Sequence, residues 1–456
     1  MGLIVFIHRK DLRTQDLRAF DYIAARNRPS LHVFILDPAL LNGGREQEHS
    51  GRAFLGRLQA LGEEYRRHGK QLQIVYGEPR KVLSRLLDLH PVEEVVVQRE
   101  HTPYAAARDH VLRLLAESRG TAWTAIEDGT LVDGVELQAY GGRKEPYKVF
   151  TPFYRKWSEY LSVHYRPSSA AGLPELEVTA EELAPAIAES FALPFPLEAY
   201  ASSTWAEAVP REVLRRFLES GIDEYAARRD FYAGEGTSGL SVYINTGAIS
   251  IREIYEALPD TVAAEPWRRQ LAWRDFYYIQ AACSPAFFRY ESLFDLSGLS
   301  DLHFEAWAEA RTGIPIIDAA MTQLLETGVM PNRLRMITAM FLTKNLLCPF
   351  PLGEQLFRRK LADYDNILNR GGWLWSASLG YDASPYFRIM NPVAQSERYD
   401  PDGEYIRRWL PQLRALSGKA IHRPQPNAIV DLAQSREHAI AVYRSILGSK
   451  STLPLE

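Results

Sequence analysis

The sequence predicts an α/β domain with a parallel, Rossmann-like sheet, followed by an all-helical domain. Over the first ~130 residues, short apolar runs alternate with segments of helical period. From about residue 201 onward the strand pattern disappears, and helical segments such as REVLRRFLESG and LRMITAMFLTKNLL follow one another. We therefore expect an α/β domain over 1–130, an interdomain connection over 131–200 and a helical domain over 201–456.

Strands are expected at five short apolar runs of the first domain. Strands that alternate with helices imply right-handed crossovers and a parallel sheet, whose ligands usually lie at the carboxyl ends of the strands. No G-x-G-x-x-G is present, so the ordinary dinucleotide fingerprint is absent. The expected strands are LIVFIH (3–8), LHVFILD (31–37), LQIVYG (72–77), EEVVVQ (93–98) and WTAIED (123–128). The apolar helix faces between them are expected at Phe54, Leu58, Leu61 and Tyr65, and at Val111, Leu112 and Leu115.

The connection is rich in Pro, Gly, Ala and Ser, and one helical stretch is expected in it near Tyr154–Tyr160. The net charge of −4 gives no global attraction to nucleic acid, so DNA binding would need a local basic patch. Cys283 and Cys348 lie far apart without metal-ligand spacing, which fits a reducing cytosol. Without a signal-peptide pattern or an apolar run of ~18 residues, we expect a soluble, cytoplasmic protein.

The most informative segment runs from Asp363 to Pro392. Its polar and aromatic residues could line a cavity, or the tryptophans could be core and the acids solvated surface. The residues concerned are Asp363, Asp365, Asn369, Gly371, Gly372, Trp373 and Trp375, then Tyr386, Phe387 and Arg388.

Three more segments carry candidate site residues. In GTSGLSVY (236–243), hydroxyls and free N–H groups at a helix start favour a phosphate, although Ser and Thr also cap helices. WRRQLAWRDFYY (267–278) places Gln270 and Arg274 on a helical stripe with aromatic residues, where a buried stripe would not need them. PNRLRM (331–336) adds two arginines. The alternative for the last two is a helix with one solvated basic edge.

Together these segments resemble one family, the photolyase/cryptochrome flavoproteins. The likeness covers roughly 225–415, and the N-terminal half matches more weakly, chiefly through HRKDLRTQD (8–16). The resemblance implies an α/β domain followed by a helical FAD-binding domain, most like the members that repair cyclobutane pyrimidine dimers. The motifs are GTSGLS, WRDFYY, GIPIIDAAM (313–321), NRLRM, GGWLW and SPYFRIMNP.

The resemblance also implies site residues. Asn369 falls beside the reactive flavin nitrogen, where an asparagine can support the reduced, anionic flavin. Trp373 matches the flavin-proximal residue of an electron-transfer chain. The implied FAD contacts are Tyr225, Thr237, Ser238, Leu240 and Ser241 at the phosphates and adjoining chain, and Trp267, Gln270, Arg274, Asn332, Arg335, Asp363, Asp365 and Asn369 around the cofactor. The implied catalytic residues are Gln270, Trp273, Met336, Asn369, Trp373 and Trp375, and the implied DNA contacts are Trp273, Asn332, Arg333, Trp375 and Arg388.

The sequence departs from the family pattern at several positions. Gln270 stands where dimer-repairing members usually carry Glu, and an amide cannot provide a carboxylic proton. Members that act on (6-4) photoproducts often carry Gln there but place histidines where this chain has Pro331 or Met336, which favours the dimer. Val329 stands where the family usually carries a tryptophan. Phe350 and a residue near Ser297 stand at the positions of the middle and outer tryptophans of the electron-transfer chain. Tyr104 and Ala105 stand where some members carry the acid that holds a folate antenna.

The expected function is therefore that of an enzyme, a deoxyribodipyrimidine photo-lyase that repairs dimers in DNA by electron transfer from excited reduced FAD. The resemblance also allows a second, antenna chromophore, whose identity stays open. The protein is expected to be a monomer that binds no membrane. The alternatives are a cryptochrome-type light sensor without repair, (6-4) photoproduct repair, and a flavin-binding protein without a light function.

Overall fold

The computed structural model describes residues 2–169, 171–179, 183, 185–234 and 236–449. The first domain holds a five-stranded parallel sheet in the order β3-β2-β1-β4-β5. Central strand β1 is buried along its whole length, as its continuous apolar run LIVFIH requires. All five expected strands are confirmed, with ends that shift by a few residues. They are β1 (Leu3–His8), β2 (Ser30–Leu36), β3 (Gln73–Tyr76), β4 (Val92–Gln98) and β5 (Ala122–Ile126).

Helices cover both faces of the sheet. On α2 the residues Leu58, Leu61 and Tyr65 are buried, as their spacing predicts. On α4 the prediction was partly wrong: Leu112 is buried but Val111 is 42% exposed, because the neighbouring position of a helix points about 100° away from the buried stripe. The helices of this domain are α1 (Arg18–Arg26), α2 (His49–Arg67), α3 (Pro79–Leu89) and α4 (Pro103–Ser118).

The connection contains more helix than its composition predicted. The stretch near Tyr154–Tyr160 belongs to α6 (Phe150–His164), and two shorter helices, α5 (Gly134–Tyr140) and α7 (Pro185–Ser190), accompany it. Asp133 caps α5 by accepting hydrogen bonds from two backbone N–H groups, which fixes a helix that the local pattern does not reveal. Both α5 and α6 pack against the first long helix of the next domain.

The rest of the described chain is helical, as expected. No helix among the described residues is long and apolar enough to cross a membrane. The helices are α8 (Thr204–Glu207), α9 (Pro210–Ser220), α10 (Tyr225–Arg228), α11 (Ser241–Thr246), α12 (Ile251–Ala257), α13 (Glu265–Cys283), α14 (Phe304–Ala308), α15 (Pro315–Thr327), α16 (Asn332–Met340), α17 (Phe350–Lys360), α18 (Asn366–Ser376), α19 (Pro392–Tyr399), α20 (Glu404–Trp409) and α21 (Leu432–Gly448).

The segment after β1, residues 8–16, joins the two halves of the molecule. Lys10 Nζ donates to Asp365 Oδ2 at 2.5 Å, and Arg13 donates to the Asp128 carboxylate at 2.7 Å. Arg252 of α12 bonds both Asp16, at 3.0 Å, and Asp128, at 2.6 Å. Arg13, Asp16, Asp128 and Arg252 are all buried, so their charges must compensate one another within the protein. The motif HRKDLRTQD therefore serves to fix the α/β domain on the helical domain.

Candidate active site

Three helices bring most of the expected residues together. Helix α18 packs against both α13 and α16, and α10 packs against α13. The close approach of α13 and α18 depends on Gly371, because a Cβ there would lie only 2.4 Å from the Tyr277 ring. At the neighbouring Gly372 a Cβ would meet no atom within 4 Å. The glycine pair of α18 thus has one member in a tight contact and the other facing open space.

Helix α13 presents its polar residues to this region. Trp267 is buried, whereas Gln270, Trp273 and Arg274 are half-buried. Gln270 Nε2 donates to its own helix at Pro266 O, 3.2 Å away, so its amide oxygen is left as an acceptor. Arg274 donates to Gly129 O and stacks 4.0 Å above the Tyr278 ring centroid. Its Nε is buried and has no acceptor among the described residues, which leaves an unused donor in the site.

The two acids of the D-x-D motif are buried, not solvated. Arg335 holds Asp363 through one nitrogen, 3.0 and 2.9 Å from its two carboxylate oxygens. Asp365 Oδ1 caps α18, while Asp365 Oδ2 accepts from Lys10 and from Tyr278 at 2.7 Å. Burial opposes its charge, but the Lys10 ammonium and the Arg274 guanidinium outweigh burial and lower the pKa of Asp365 to about 2. Asp365 is therefore an ionised anchor for the start of α18.

One turn further along α18, Asn369 is fixed in orientation. Its Nδ2 donates to Glu354 O at 3.1 Å, which leaves its side-chain oxygen available to accept a bond. Trp373 lies in the core at 2% exposure, with its ring edge-on to Phe357 at 5.0 Å and to Trp307 at 6.1 Å. Trp373 is thus a core residue, which was the alternative to a cavity lining, whereas Trp375 is half-buried.

Trp273 has a neighbour that the sequence did not indicate. Its ring stacks on Phe150 of α6 with centroids 3.7 Å apart and planes within 3°. Tyr277 lies beside it at 5.9 Å with an angle of 27°. Phe150 comes from the connection, more than a hundred residues before Trp273, and no local pattern marks it. The stack holds Trp273 in one orientation.

On α16, Met336 is half-buried and Asn332 is exposed, with Asn332 Nδ2 lying 3.7 Å from the Met336 sulfur. Both side chains are therefore accessible near the start of this helix. Asn332 holds no carbonyl or carboxylate acceptor among the described residues, so its amide is available to a ligand.

The phosphate segment is only partly as expected. Thr237 and Ser241 are exposed, and Ser238 Oγ accepts a hydrogen bond from Leu240 N at 3.3 Å. Gly236 is required here, because a Cβ would lie 2.4 Å from Arg228 O. The side chains of Leu240 and Tyr225 lie in the core at 0% and 7% exposure, so Leu240 can offer a ligand little more than its backbone.

The two arginines expected at DNA differ in their surroundings. Arg388 is exposed, next to Phe387, which is 56% exposed. Arg333 donates to Asp230 Oδ2 at 2.7 Å and lies 4.4 Å above the Tyr399 ring centroid. The sequence did not indicate Asp230, which lies about a hundred residues before Arg333.

At the expected middle position of the electron chain, Phe350 is buried beneath the Arg370 guanidinium, 5.0 Å from its ring centroid. Trp307 is fully buried, and among the described residues it is the tryptophan whose ring contacts Trp373. The sequence did not indicate Trp307, because α14 precedes α18 by some sixty residues.

These residues fit FAD. Hydroxyl groups next to α11 suit phosphates, and the free Arg274 Nε–H and the Asn369 oxygen suit the polar edges of a flavin. The open space at Gly372 lies beside Asn369 and Trp373 on the same helix. No group of His, Cys, Asp and Glu among the described residues could hold a metal ion.

Comparisons with known proteins identify the family of this chain. The family described as the FAD binding domain of DNA photolyase matches residues 267–445, and the family described as DNA photolyase matches residues 4–175. The deoxyribodipyrimidine photo-lyase of Halobacterium salinarum is 34% identical, over 98% of this chain and 100% of that protein. The Synechococcus deoxyribodipyrimidine photo-lyase is 33% identical, over 91% of this chain and 89% of that protein.

Solved structures give the same fold. A bacterial class III photolyase from Agrobacterium tumefaciens has a TM-score of 0.84 and 28% identity, and the match covers 98% of both chains. An archaeal photolyase from Sulfolobus tokodaii, which holds two FAD molecules, has a TM-score of 0.80 and 29% identity over 97% of this chain and 100% of that one. A Synechocystis cryptochrome, at 23% identity and a TM-score of 0.84, shares the fold over 97% of this chain and 99% of that one.

Proposed function

The chain belongs to the photolyase/cryptochrome family, and we propose that it is a deoxyribodipyrimidine photo-lyase that repairs cyclobutane pyrimidine dimers in DNA with FAD. The observation that carries the proposal is the likeness to the Halobacterium photo-lyase over the whole length of both chains. The likeness to a cryptochrome, at 23% identity, extends to the fold alone. The sensor alternative therefore has no observation in its favour.

Several side chains of this chain would bind the lesion and the cofactor. Trp273 and Trp375, both half-buried, would provide apolar walls for a dimer that has left the base stack, and Met336 of α16 would contact it as well. Asn332 and the exposed Arg388 would contact the DNA strand. Arg274 and Arg335, each beside an acid, would hold the cofactor from α13 and α16. The chemistry that bound, reduced FAD supplies is a light-driven electron that opens the cyclobutane ring and then returns.

The remaining side chains orient the reactants. Asn369 would accept a hydrogen bond from the flavin through its free oxygen, because its amide nitrogen is held by Glu354 O. Gln270 Nε2 gives one N–H to Pro266 O, 3.2 Å away, so its second N–H would donate to a pyrimidine carbonyl and its oxygen would accept from the adenine amino group. Since Gln270 cannot supply a carboxylic proton, this chain must open the dimer without that proton.

We also propose a cytoplasmic monomer and a second chromophore on the α/β domain. Tyr104 at the start of α4 donates to the Asp37 carboxylate after β2, so a pigment that needs Asp37 as acceptor has to displace a phenol. The absorption spectrum of the pigments released from the purified protein tests for the chromophore, and sedimentation tests the oligomeric state.

The test of the proposed function uses two lesions. The protein is illuminated with oligonucleotides that carry one cyclobutane thymine dimer or one (6-4) photoproduct, and restored thymines are measured by chromatography. The proposal predicts repair of the dimer in light and none in the dark. Repair of the (6-4) photoproduct alone would assign the other lesion, and repair of neither by a DNA-binding, FAD-loaded protein would refute the proposal.

A further inference from the structure

Arg333 is held by two other segments of the chain. One terminal nitrogen donates to Asp230 Oδ2 at 2.7 Å, and the other donates to Gln395 Oε1 at 3.3 Å. The guanidinium plane lies 4.4 Å above the ring centroid of Tyr399. Asp230 follows α10, Arg333 lies in the first turn of α16, and Gln395 and Tyr399 belong to α19. The guanidinium is thus fixed before any DNA is present.

The ion pair lies at the surface, not in the core. The side chain of Arg333 is 21% exposed and that of Asp230 is 27% exposed. Phe231, next to Asp230, is 45% exposed, and α19 follows directly on the segment that carries the exposed Arg388. A phosphate that reaches this surface can therefore approach Arg333 while Asp230 is bound to it.

The contact itself uses a single carboxylate oxygen. Asp230 occupies one N–H of Arg333, whereas Arg333 Nε is buried and has no acceptor among the described residues. A guanidinium binds carboxylate and phosphate through the same donors, and it binds both most strongly when two N–H groups are engaged. The Asp230–Arg333 pair therefore uses fewer N–H donors than an arginine–phosphate contact can use, and solvent can reach it.

We propose that Asp230 is a built-in competitor for the DNA phosphate at Arg333, so that it limits the affinity of the protein for DNA. This inference rests on the proposed function, since it takes DNA as the ligand. In the free protein the carboxylate neutralises Arg333. When DNA binds, a phosphate takes the place of the carboxylate, and the gain from that phosphate is reduced by the loss of the ion pair.

The test is the substitution Asp230→Asn, which keeps the shape of the side chain and removes its charge. Affinity for an undamaged duplex oligonucleotide is measured in the dark by fluorescence anisotropy over a series of salt concentrations. In the unaltered protein the displaced carboxylate takes up a cation when the phosphate binds, so removing its charge acts like one further neutralised phosphate. The slope of log K against log salt should then become steeper by about 0.9, equivalent to about eightfold tighter binding at about 0.1 M salt. The melting temperature and FAD content of the variant show whether its fold is intact.

Two further variants separate competition from a general charge effect. Asp223→Asn makes the same charge change at an exposed position of the same segment, and Asp223 forms no ion pair within the described chain. It should alter the slope by much less. In an Arg333→Gln background, Asp230→Asn should lose most of its effect, because the phosphate-binding cation is gone.

Three results would overturn the inference. Weaker binding with a flatter slope would mean that Asp230 only holds Arg333 in place for DNA. No change would mean that Arg333 does not meet a phosphate. If Asp230→Asn has the same effect in the Arg333→Gln background, the effect comes from the general surface charge and not from competition at Arg333. If the unaltered protein binds no DNA or repairs no dimer, the proposed function fails instead, so the two failures are distinct.

Discussion

Replacing Trp273 tests the dimer pocket most fully, because its ring already stacks on Phe150 and its half-buried remainder would contact the dimer. If Trp273 forms a wall for the flipped dimer, Trp273→Ala should weaken the binding of dimer-containing DNA by about 1–3 kcal/mol, the scale of one base–aromatic contact. That corresponds to a roughly 5- to 150-fold higher Kd. Binding of undamaged DNA should change little, because an undamaged base stays in the stack.

The same substitution also affects stability. A buried Trp→Ala change costs about 3–5 kcal/mol, and Trp273 is only half-buried, so we expect about half of that. Part of the loss is the stack on Phe150, 3.7 Å away, since an aromatic pair is worth about 0.5–1.5 kcal/mol beyond its buried area. Stability alone therefore does not distinguish a wall from a core residue.

Two matched variants make the distinction. Phe150→Leu removes the ring beneath Trp273 but keeps the wall, so it should lower the melting temperature and leave dimer affinity nearly unchanged. Trp273→Phe keeps both an aromatic wall and the stack, and should restore most of the affinity. The assay is equilibrium binding to matched oligonucleotides with and without one dimer, with FAD content and melting temperature measured on the same samples. Equal loss of damaged and undamaged DNA binding in Trp273→Ala would refute the assignment.

Three further outcomes are expected. Arg388→Ala should weaken DNA binding and flatten its salt slope by about 0.9, and an unchanged slope would place the phosphate contact elsewhere. Asp363→Asn weakens the pair with Arg335, 2.9 Å away, and should lower the FAD retained on gel filtration; full retention would count against this site. Burial lowers the pKa of Lys344 to about 6 from 10.5. Between pH 6 and 10.5 Lys344 is therefore protonated in the unfolded chain and neutral in the folded one. The free energy of unfolding should rise with pH in this range, by up to ~1.4 kcal/mol per pH unit. Lys344→Met should lack that rise in chemical unfolding at pH 7 and 9, whereas parallel profiles would contradict it.

The sequence predicted the sheet well because each strand is a short apolar run with clear ends. It predicted the connection less well. Helix α6 is stabilised from a distance, since the Trp157 indole donates to Asp275 of α13 at 2.9 Å. A local pattern that is rich in Pro, Gly, Ala and Ser carries no sign of such a bond. The exposed Val111 shows the same limit, because its apolar character alone does not say which side of α4 faces the sheet.

The sequence indicates those candidate site residues that lie on α13, α16 and α18, because the motifs of these helices are continuous in sequence. The missing parts come from far away along the chain. Phe150 supports Trp273, Lys10 holds Asp365, and Asp230 holds Arg333. None of these supporting residues stands within a recognisable spacing of its partner, so only the folded chain reveals the pairs.

The most direct test of light-driven repair is the loss of dimers from DNA mixed with flavin-free or flavin-loaded protein. Dimers per oligonucleotide are counted before and after illumination, with FAD removed, restored and reduced, or restored and kept dark. If reduced FAD drives the repair, dimers are lost only with reduced FAD in the light, at a yield that falls in Trp273→Ala at non-saturating DNA. Loss in the dark, or none in the light from a complex that holds both reduced FAD and dimer-containing DNA, would contradict it.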